Sequence, residues 1–333
     1  MASKFDSVWV PTLQGAFLTS YEGVVSGQWS TPITKRYDSV GEFLKLVDLG
    51  SVGAVRQFSG PRQFTAPHAY TLTQQNLPYE LSMAIDVEDV RRDNLGMFES
   101  KASEMGAKFA DHINKLVISN ITSNPVGFDG VAFFGSTHPV NGTTQSNNIT
   151  YSQVAPLASS GYTGATATAP TPVQMSAVIL GVVAYFYSMI DEAGDPINGG
   201  AKEFEFVTSN PAVYAAMIAA IDSLQLSQGQ TNVLDTLQDG GAKARYTVNP
   251  KAFRFYAMFD PRLGSSTNST FQVFRTDSEV KPFAWGEESG LEINYLGEGS
   301  YNAVKDNQFI WAAKAVRSVG VGRYQHALQA TLS

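Results

Sequence analysis

Not one of the 333 residues is cysteine. That excludes a disulfide framework, thiolate zinc sites and a thiol nucleophile. Charge is scarce as well: Asp, Glu, Lys and Arg make up 16% of the chain, against roughly 25% in ordinary soluble domains. The net charge is −7, and cations gather only in short pairs such as Lys35-Arg36 and Arg91-Arg92. Tight phosphate binding needs several aligned cations, so sequence-specific recognition of nucleic acid is not expected. The opening residues, MASKFDSVWVPTLQGAF, show no basic stretch followed by an apolar one. No secretory signal is therefore expected, and the sequons at Asn120, Asn141, Asn148 and Asn268 are chance matches in a cytoplasmically made chain.

Catalytic signatures are missing too. There is no P-loop, no GxGxxG after a strand, no HExxH and no EF-hand loop. The four histidines, His68, His112, His138 and His326, are scattered. His112 has Glu104 and Asp111 near it but no second histidine one turn away, so no zinc pair forms. No catalytic, cofactor or metal residues are expected, which leans against an enzyme.

What is present suits burial against copies of the same chain. Hydrophobic residues make up 43%, enough for a core, while the polar remainder is rich in Ser, Thr, Asn, Gln and Gly. Residues 1–55 carry short apolar pieces (Phe17-Leu18, Phe43 to Val47) between Gly, Ser and Pro, and read as an arm lying along another part of an assembly. Residues 56–90 read as a hairpin. Tyr70 and Leu72 alternate with Thr71 and Thr73, the turn is Gln74-Gln75-Asn76, and Tyr79, Leu81, Met83, Ile85 and Val87 alternate with polar residues. Pro61, Pro67 and Pro78 confine such strands to edges or free ribbons, so a neighbouring subunit is expected to cover them.

From Asp93, a candidate N-cap, the apolar step becomes three and four: Leu95, Phe98, Ala102, Met105, Phe109, Ile113, Leu116. This predicts a helix over 93–123, a rod of about 42 Å. The acidic knot Asp86, Glu88, Asp89 and Asp93 then sits at a strand-to-helix joint, where a helix N-terminus favours negative charge and Arg91 and Arg92 supply partners. "FDGVAFFGSTHP" (128–139) reads as a short strand ending in a turn. Its Ser136 and His138 lack an orienting acid and a G-x-S-x-G context. Residues 136–172 read as a long uncharged loop or a strand pair.

"VQMSAVILGVVAYFYSMI" (173–190) reaches the lower length limit for a membrane span. It has no flanking Lys or Arg, so a helix buried against a sheet is expected, and no membrane. Strand and helix segments then alternate: "KEFEFVTS" (202–209), "PAVYAAMIAAIDSLQ" from Pro211, "ARYTVN" (244–249), "RFYAMFD" (254–260), "FQVFRT" (271–276), "GLEINYL" (290–296) and "NQFIWAAKAVRSVGVGRY" (307–324). Mixed this way they predict an α+β fold with helices packed on sheets.

The order of these elements resembles the major capsid proteins of tailed phages with the Hong Kong 97-like fold, and within them the major head subunit family of Mu-like phages. The resemblance is carried by "YTLTQQNLPYELSMAIDVEDVRRDNLG" (70–96), "GAKFADHINKLV" (106–117), "FDGVAFFGSTHP" and "FEFVTSNPAVYAAMIAAI" (204–221). It implies an N-terminal arm (1–55), an extended E-loop hairpin (56–91), and a peripheral domain (92–172 and 286–333) with spine helix 93–123. An axial domain (173–285) would surround hexamer and pentamer centres.

It also implies a function: a subunit that self-assembles through capsomers into the icosahedral head shell enclosing phage DNA, made in the host cytoplasm and carried in the virion. Inter-subunit contacts would fall on Phe64, Tyr70, Leu72, Gln75, Asn76, Tyr79, Leu81, Met83, Arg91 and Arg92. Between Arg56 and Arg92 there is no lysine, so the E-loop lysine weld of some relatives is not expected. Arm-like sequence begins near Phe5, implying a separate scaffold protein or an already processed chain. A cement protein, a portal and packaged DNA held without sequence recognition are the other partners implied. The alternatives are another phage structural protein of tail or decoration type, and a soluble hydrolase using Asp86/Glu88 or Ser136/His138.

Overall fold

The apolar stripe beginning at Leu95 folds as one long helix, α3 (Leu95–Ser123, 29 residues), whose buried face runs Ala102, Met105, Phe109, Ile113, Val117, Ile121. The structure is a computed structural model that describes residues 5–48, 57, 60, 70–92, 95–150, 168–222, 225–226, 230–231, 253–265 and 268–332. Asp93, the expected cap, lies outside them; a short helix α2 (Val87–Arg92) precedes it. At the far end Asn124 takes a left-handed backbone, φ 46°, and Pro125 cannot continue the helix. The Asn124 side chain then accepts from the Phe134 amide at 2.7 Å and donates to the Phe134 carbonyl at 3.1 Å, tying the helix end to the following loop.

Residues 5–26, the first part of the expected arm, fold against their own chain. They form a wide turn (Phe5–Trp9) and helix α1 (Val10–Ser26), laid on α3 of the same chain. Phe5, Trp9, Leu13 and Phe17 step by four into a core with Met105, Phe109, Phe309 and Trp311. Ring centroids of Phe17 and Trp311 are 5.1 Å apart and those of Phe5 and Phe309 4.3 Å. The helices cross at Gly106, where an added Cβ would run into the Phe17 carbonyl. Burying aromatics of this size gives each about 1.5–3 kcal/mol, so the segment is held by its own subunit.

The first sheet is four-stranded, in the order β1 (Thr34–Asp38), β13 (Phe283–Leu296), β14 (Gln308–Val321), β4 (Leu77–Asp86). The alternation in β4 is real: Leu81, Met83 and Ile85 pack on the α1–α3 core, and Pro78 sits on an edge strand, where a missing N–H is tolerated. Among the described residues, however, the two strands expected to form the 56–90 hairpin do not pair with each other. β4 pairs with β14, from Asp86 opposite Gln308 to Leu77 opposite Arg317. The strand before it, β3 (Tyr70–Gln75), pairs instead with β2 (Phe43–Asp48). One residue, Asn76, separates β3 from β4, so the ribbon is β2–β3 and its connection spans 49–69.

The second sheet has five strands in the order β11 (Arg254–Phe259), β8 (Glu203–Thr208), β12 (Thr270–Arg275), β15 (Ala327–Thr331), β7 (Asn148–Thr150). Helix α4 (Pro172–Ser188), started by a Thr171–Gln174 capping box, and α5 (Pro211–Asp222) bury Met175, Ile179, Val182, Phe186, Val213 and Met217 against Phe204, Phe206, Phe255 and Phe271. The expectation of a buried helix at 173–190 holds, and among the described residues no helix is long and apolar enough to cross a membrane. Residues 327–331 join this sheet by pairing with β12.

The strand expected within 128–139 is a looped segment with a single bridge, Val126 to Ala132, that buries Phe133 and Phe134 beside the spine helix. Within 136–150 two short strands, β5 (His138–Val140) and β6 (Thr143–Gln145), precede β7. A small pair, β9 (Gln225–Leu226) and β10 (Gln230–Thr231), follows α5. The strand expected at 244–249 lies outside the described residues.

Candidate assembly interface

Asn76 makes the turn that sends β3 and β4 into different sheets. Its amide nitrogen donates to Ser39 Oγ at 2.9 Å and the Gly41 carbonyl at 2.8 Å. Its Oδ1 accepts from Ser318 Oγ at 2.6 Å, and its backbone N–H reaches the Glu42 carbonyl at 2.7 Å. A buried amide with this many partners has no polar group left over.

The root of the β2–β3 ribbon sits on a seat cut for it. Leu44 and Leu46 turn inward on Ala284, with Leu72 and Phe128 at the margin. Beneath them β13 and β14 present Gly286 and Gly320. A Cβ at Gly286 would press on Leu44, Asn76 and Ser318, and one at Gly320 would collide with the Gln74 side chain. Because successive strand residues face opposite ways, Phe43, Lys45 and Val47 point out, with Phe43 50% and Val47 57% exposed. Thr73 and Thr71 stand opposite Lys45 and Val47. A two-stranded ribbon with one face bare is marginal alone.

The residues expected to touch neighbours divide sharply. Phe64 lies outside the described residues, and Tyr70 opens β3 opposite Asp48. Gln75 is exposed at the ribbon root, donating to Glu42 at 2.9 Å, and Leu72 is half-buried beneath the ribbon. Arg91 and Arg92 are exposed on α2, with Arg91 on Glu88 at 2.6 Å. Asn76, Tyr79, Leu81 and Met83 turn inward on their own chain, Tyr79 against His112 with ring centroids 4.2 Å apart. Leu81 and Met83 face the α1–α3 core of their own chain.

The acidic knot is a joint: Asp86 Oδ1 accepts from the Glu88 amide at 2.7 Å, and Asn307 adds a longer bond. Ser136 and His138 do not converge, since Ser136 is exposed and His138 is buried. The His138 ring stacks on Tyr324 at 3.7 Å, with Nδ1 on Asp129 at 2.5 Å and Nε2 on Asn147 at 3.1 Å. Burial pushes the Asp129 carboxyl up, but the His138 and Val131 hydrogen bonds outweigh it and hold it below its ordinary value. Among the described residues no cluster of His, Asp and Glu could hold a metal ion.

A polar clasp missed by sequence reading joins spine helix to second sheet. Arg262, after β11, reaches Asp111 of α3 at 2.5 Å and Asp260 at 2.6 Å. Asp111 also accepts from Asn114, which in turn accepts from Ser30. Burial pushes Asp260 up, yet Arg262 leaves its carboxyl below the usual range. No local motif announces residues so distant in sequence.

A spine helix under one sheet, a second helix-covered sheet and a two-stranded ribbon together make the Hong Kong 97-like capsid fold. Comparison with solved structures finds the same fold in the capsid of cyanophage P-SCSP1u, with TM-score 0.55, 11% identity, and 92% of this chain and 88% of that one covered. The mature capsid of bacteriophage PhiM1 gives TM-score 0.54, 12% identity and coverage of 92% and 87%. The procapsid of bacteriophage JBD30 gives 0.50, 14%, and coverage of 98% and 75%. The class is that of major capsid proteins, structural subunits that form a shell of repeated copies in the virion. Within it, residues 11–161 match the family described as the Mu-like prophage major head subunit gpT. No curated protein matches the chain.

Proposed function

We propose that the subunit assembles through hexameric and pentameric capsomers, and that the β2–β3 ribbon is the E-loop by which each copy overlies the next. The observation that carries this reading is the ribbon's two-sidedness: Leu44 and Leu46 anchor it to its own chain while Phe43 and Val47 are left bare. A face of this kind gains its burial from a second chain. Gln75, with Arg91 and Arg92 on α2, supplies polar contacts at the rim. In this reading α1, α3 and the first sheet form the peripheral lobe, and the second sheet with α4 and α5 forms the axial lobe.

The chain acts without catalysis and without a lysine weld, is assembled in the host cytoplasm on a separate scaffold, and leaves room for a cement protein. It joins a portal and encloses DNA without reading its sequence. The acidic net charge of −7 supports the last point, because non-specific retention of DNA inside a shell does not need a basic reading surface.

Replacing residues 49–69 with a short Gly-Ser turn tests the ribbon's role. Electron microscopy of the wild type should show closed shells, and the shortened protein should remain a folded, soluble capsomer or monomer. Shells of unchanged size and yield from the shortened protein would refute the assignment. Tubes or rings from the wild type would favour a tail-type protein instead.

A further inference from the structure

One buried carboxyl has no part in this scheme. Glu205 stands in the middle of β8, is 1% exposed, and neither carboxyl oxygen finds a hydrogen-bond partner among the described residues. Its strand neighbours Phe204 and Phe206 enter the core under α4 and α5. Glu205 therefore points to the opposite face, with Val207. Register sets Tyr256 of β11 on one side of it and Phe274 of β12 on the other. Val207 and Phe274 pack with Val117, Ile118 and Ile121 of the spine helix, so Glu205 lies on the side of the sheet that meets the spine.

Among the described residues the charged groups at that seam are engaged elsewhere, Arg262 with Asp111 and Asp260. Glu203, two residues earlier, pairs with Arg254 at 2.9 Å. Lys281 donates to the Thr276 carbonyl at 2.5 Å, and the Thr276 hydroxyl is itself buried with no partner among the described residues. Burial, with no opposing charge among the described residues, pushes the Glu205 carboxyl up to about 8.

We propose that Glu205 is kept as the neutral acid in the native subunit and serves as an alkaline release, its ionisation opening the seam between the second sheet and the spine helix. A carboxylate between Tyr256 and Phe274 finds no hydrogen-bond partner among the described residues, and an unpaired buried charge is expelled or draws water in. The native group holds a proton that the unfolded chain, at an ordinary 4.5, gives up. Its contribution to stability is complete below about 4.5, falls as pH rises toward about 8, and levels beyond.

Urea unfolding of the full chain from about pH 5 to about pH 9, beside Glu205→Gln, tests this. The wild-type unfolding constant should rise relative to the variant by up to about tenfold per pH unit through that window. Amide exchange in residues 203–208 and 270–275 should quicken in the wild type alone. Parallel pH curves for the two proteins would overturn the proposal. Infrared spectra of the wild type decide the matter even if the variant fails to fold. A protonated-carboxyl band at neutral pH that vanishes on alkalinisation is expected, and its absence at neutral pH would equally overturn the proposal.

Discussion

β3 and β4 are neighbours in sequence, alike in pattern and opposite in fate. Each alternates apolar with polar residues, and only Asn76 lies between them. β4 zips along β14 and feeds Leu81, Met83 and Ile85 to the α1–α3 core, whereas β3 leaves with β2 as a ribbon. The lesson is that alternation reports a half-buried strand and says nothing about whose core buries it. That choice is made by the register of distant partners, residues 308–317 for one strand and 43–48 for the other.

The comparison can be broken most forcefully from β4's side. Trp311→Ala, beneath Phe17 and beside Met83 in the ladder, should cost about 3–5 kcal/mol. Chemical unfolding should show it, and loss of shells would follow from loss of the fold. Gly106→Val would push α1 from α3 at their crossing and cost about 1–3 kcal/mol by overpacking. An unchanged midpoint would show that α1 is not held there. Asn76→Ala attacks both strands at once by stranding Ser318 and the Gly41 carbonyl, with a loss of about 1–3 kcal/mol.

From the ribbon's side the outcome should invert. Phe43→Ser with Val47→Thr should move subunit stability by no more than ~0.5 kcal/mol, yet reduce the yield of shells seen by light scattering. Arg91→Ala removes only an exposed pair with Glu88, a change within ~0.5 kcal/mol.

A pH series sharpens the contrast within the second sheet's own surroundings. Burial holds the His326 imidazole down at about 4, against an ordinary 6.5. The native ring therefore refuses a proton that the unfolded chain accepts, and stability is lost as pH falls from about 6.5 toward about 4. In Glu205→Gln the loss above about pH 6.5 should flatten, and the acid limb, no longer opposed by Glu205 between about 4.5 and about 6.5, should steepen.

Legibility followed the range of the interaction. The spine helix was readable because its stripe is local, from Ala102 to Ile121, and β4 was readable for the same reason. α1 was also written locally, as Phe5, Trp9, Leu13, Phe17 and Tyr21 at steps of four, but Pro11, Gly15 and Gly23 disguised it as punctuation. Pro11 falls in the helix's first turn, where proline is welcome. The β2–β3 pairing was not readable, because the pattern of β3 fits β4 as well as β2. Nor was the Asp111–Arg262–Asp260 clasp, whose members gain meaning only once two lobes meet. The element order could still point to a capsid subunit, since that order survives errors in pairing.

Position in the second sheet also sets a timetable. β15 lies between β12 and β7, inside the sheet, although residues 327–331 are the last of its five strands to be translated. A ribosome-bound chain can present spine helix and ribbon long before that sheet has its interior strand, and domains generally settle as units. The second sheet thus stays without its interior strand until translation has passed Thr331.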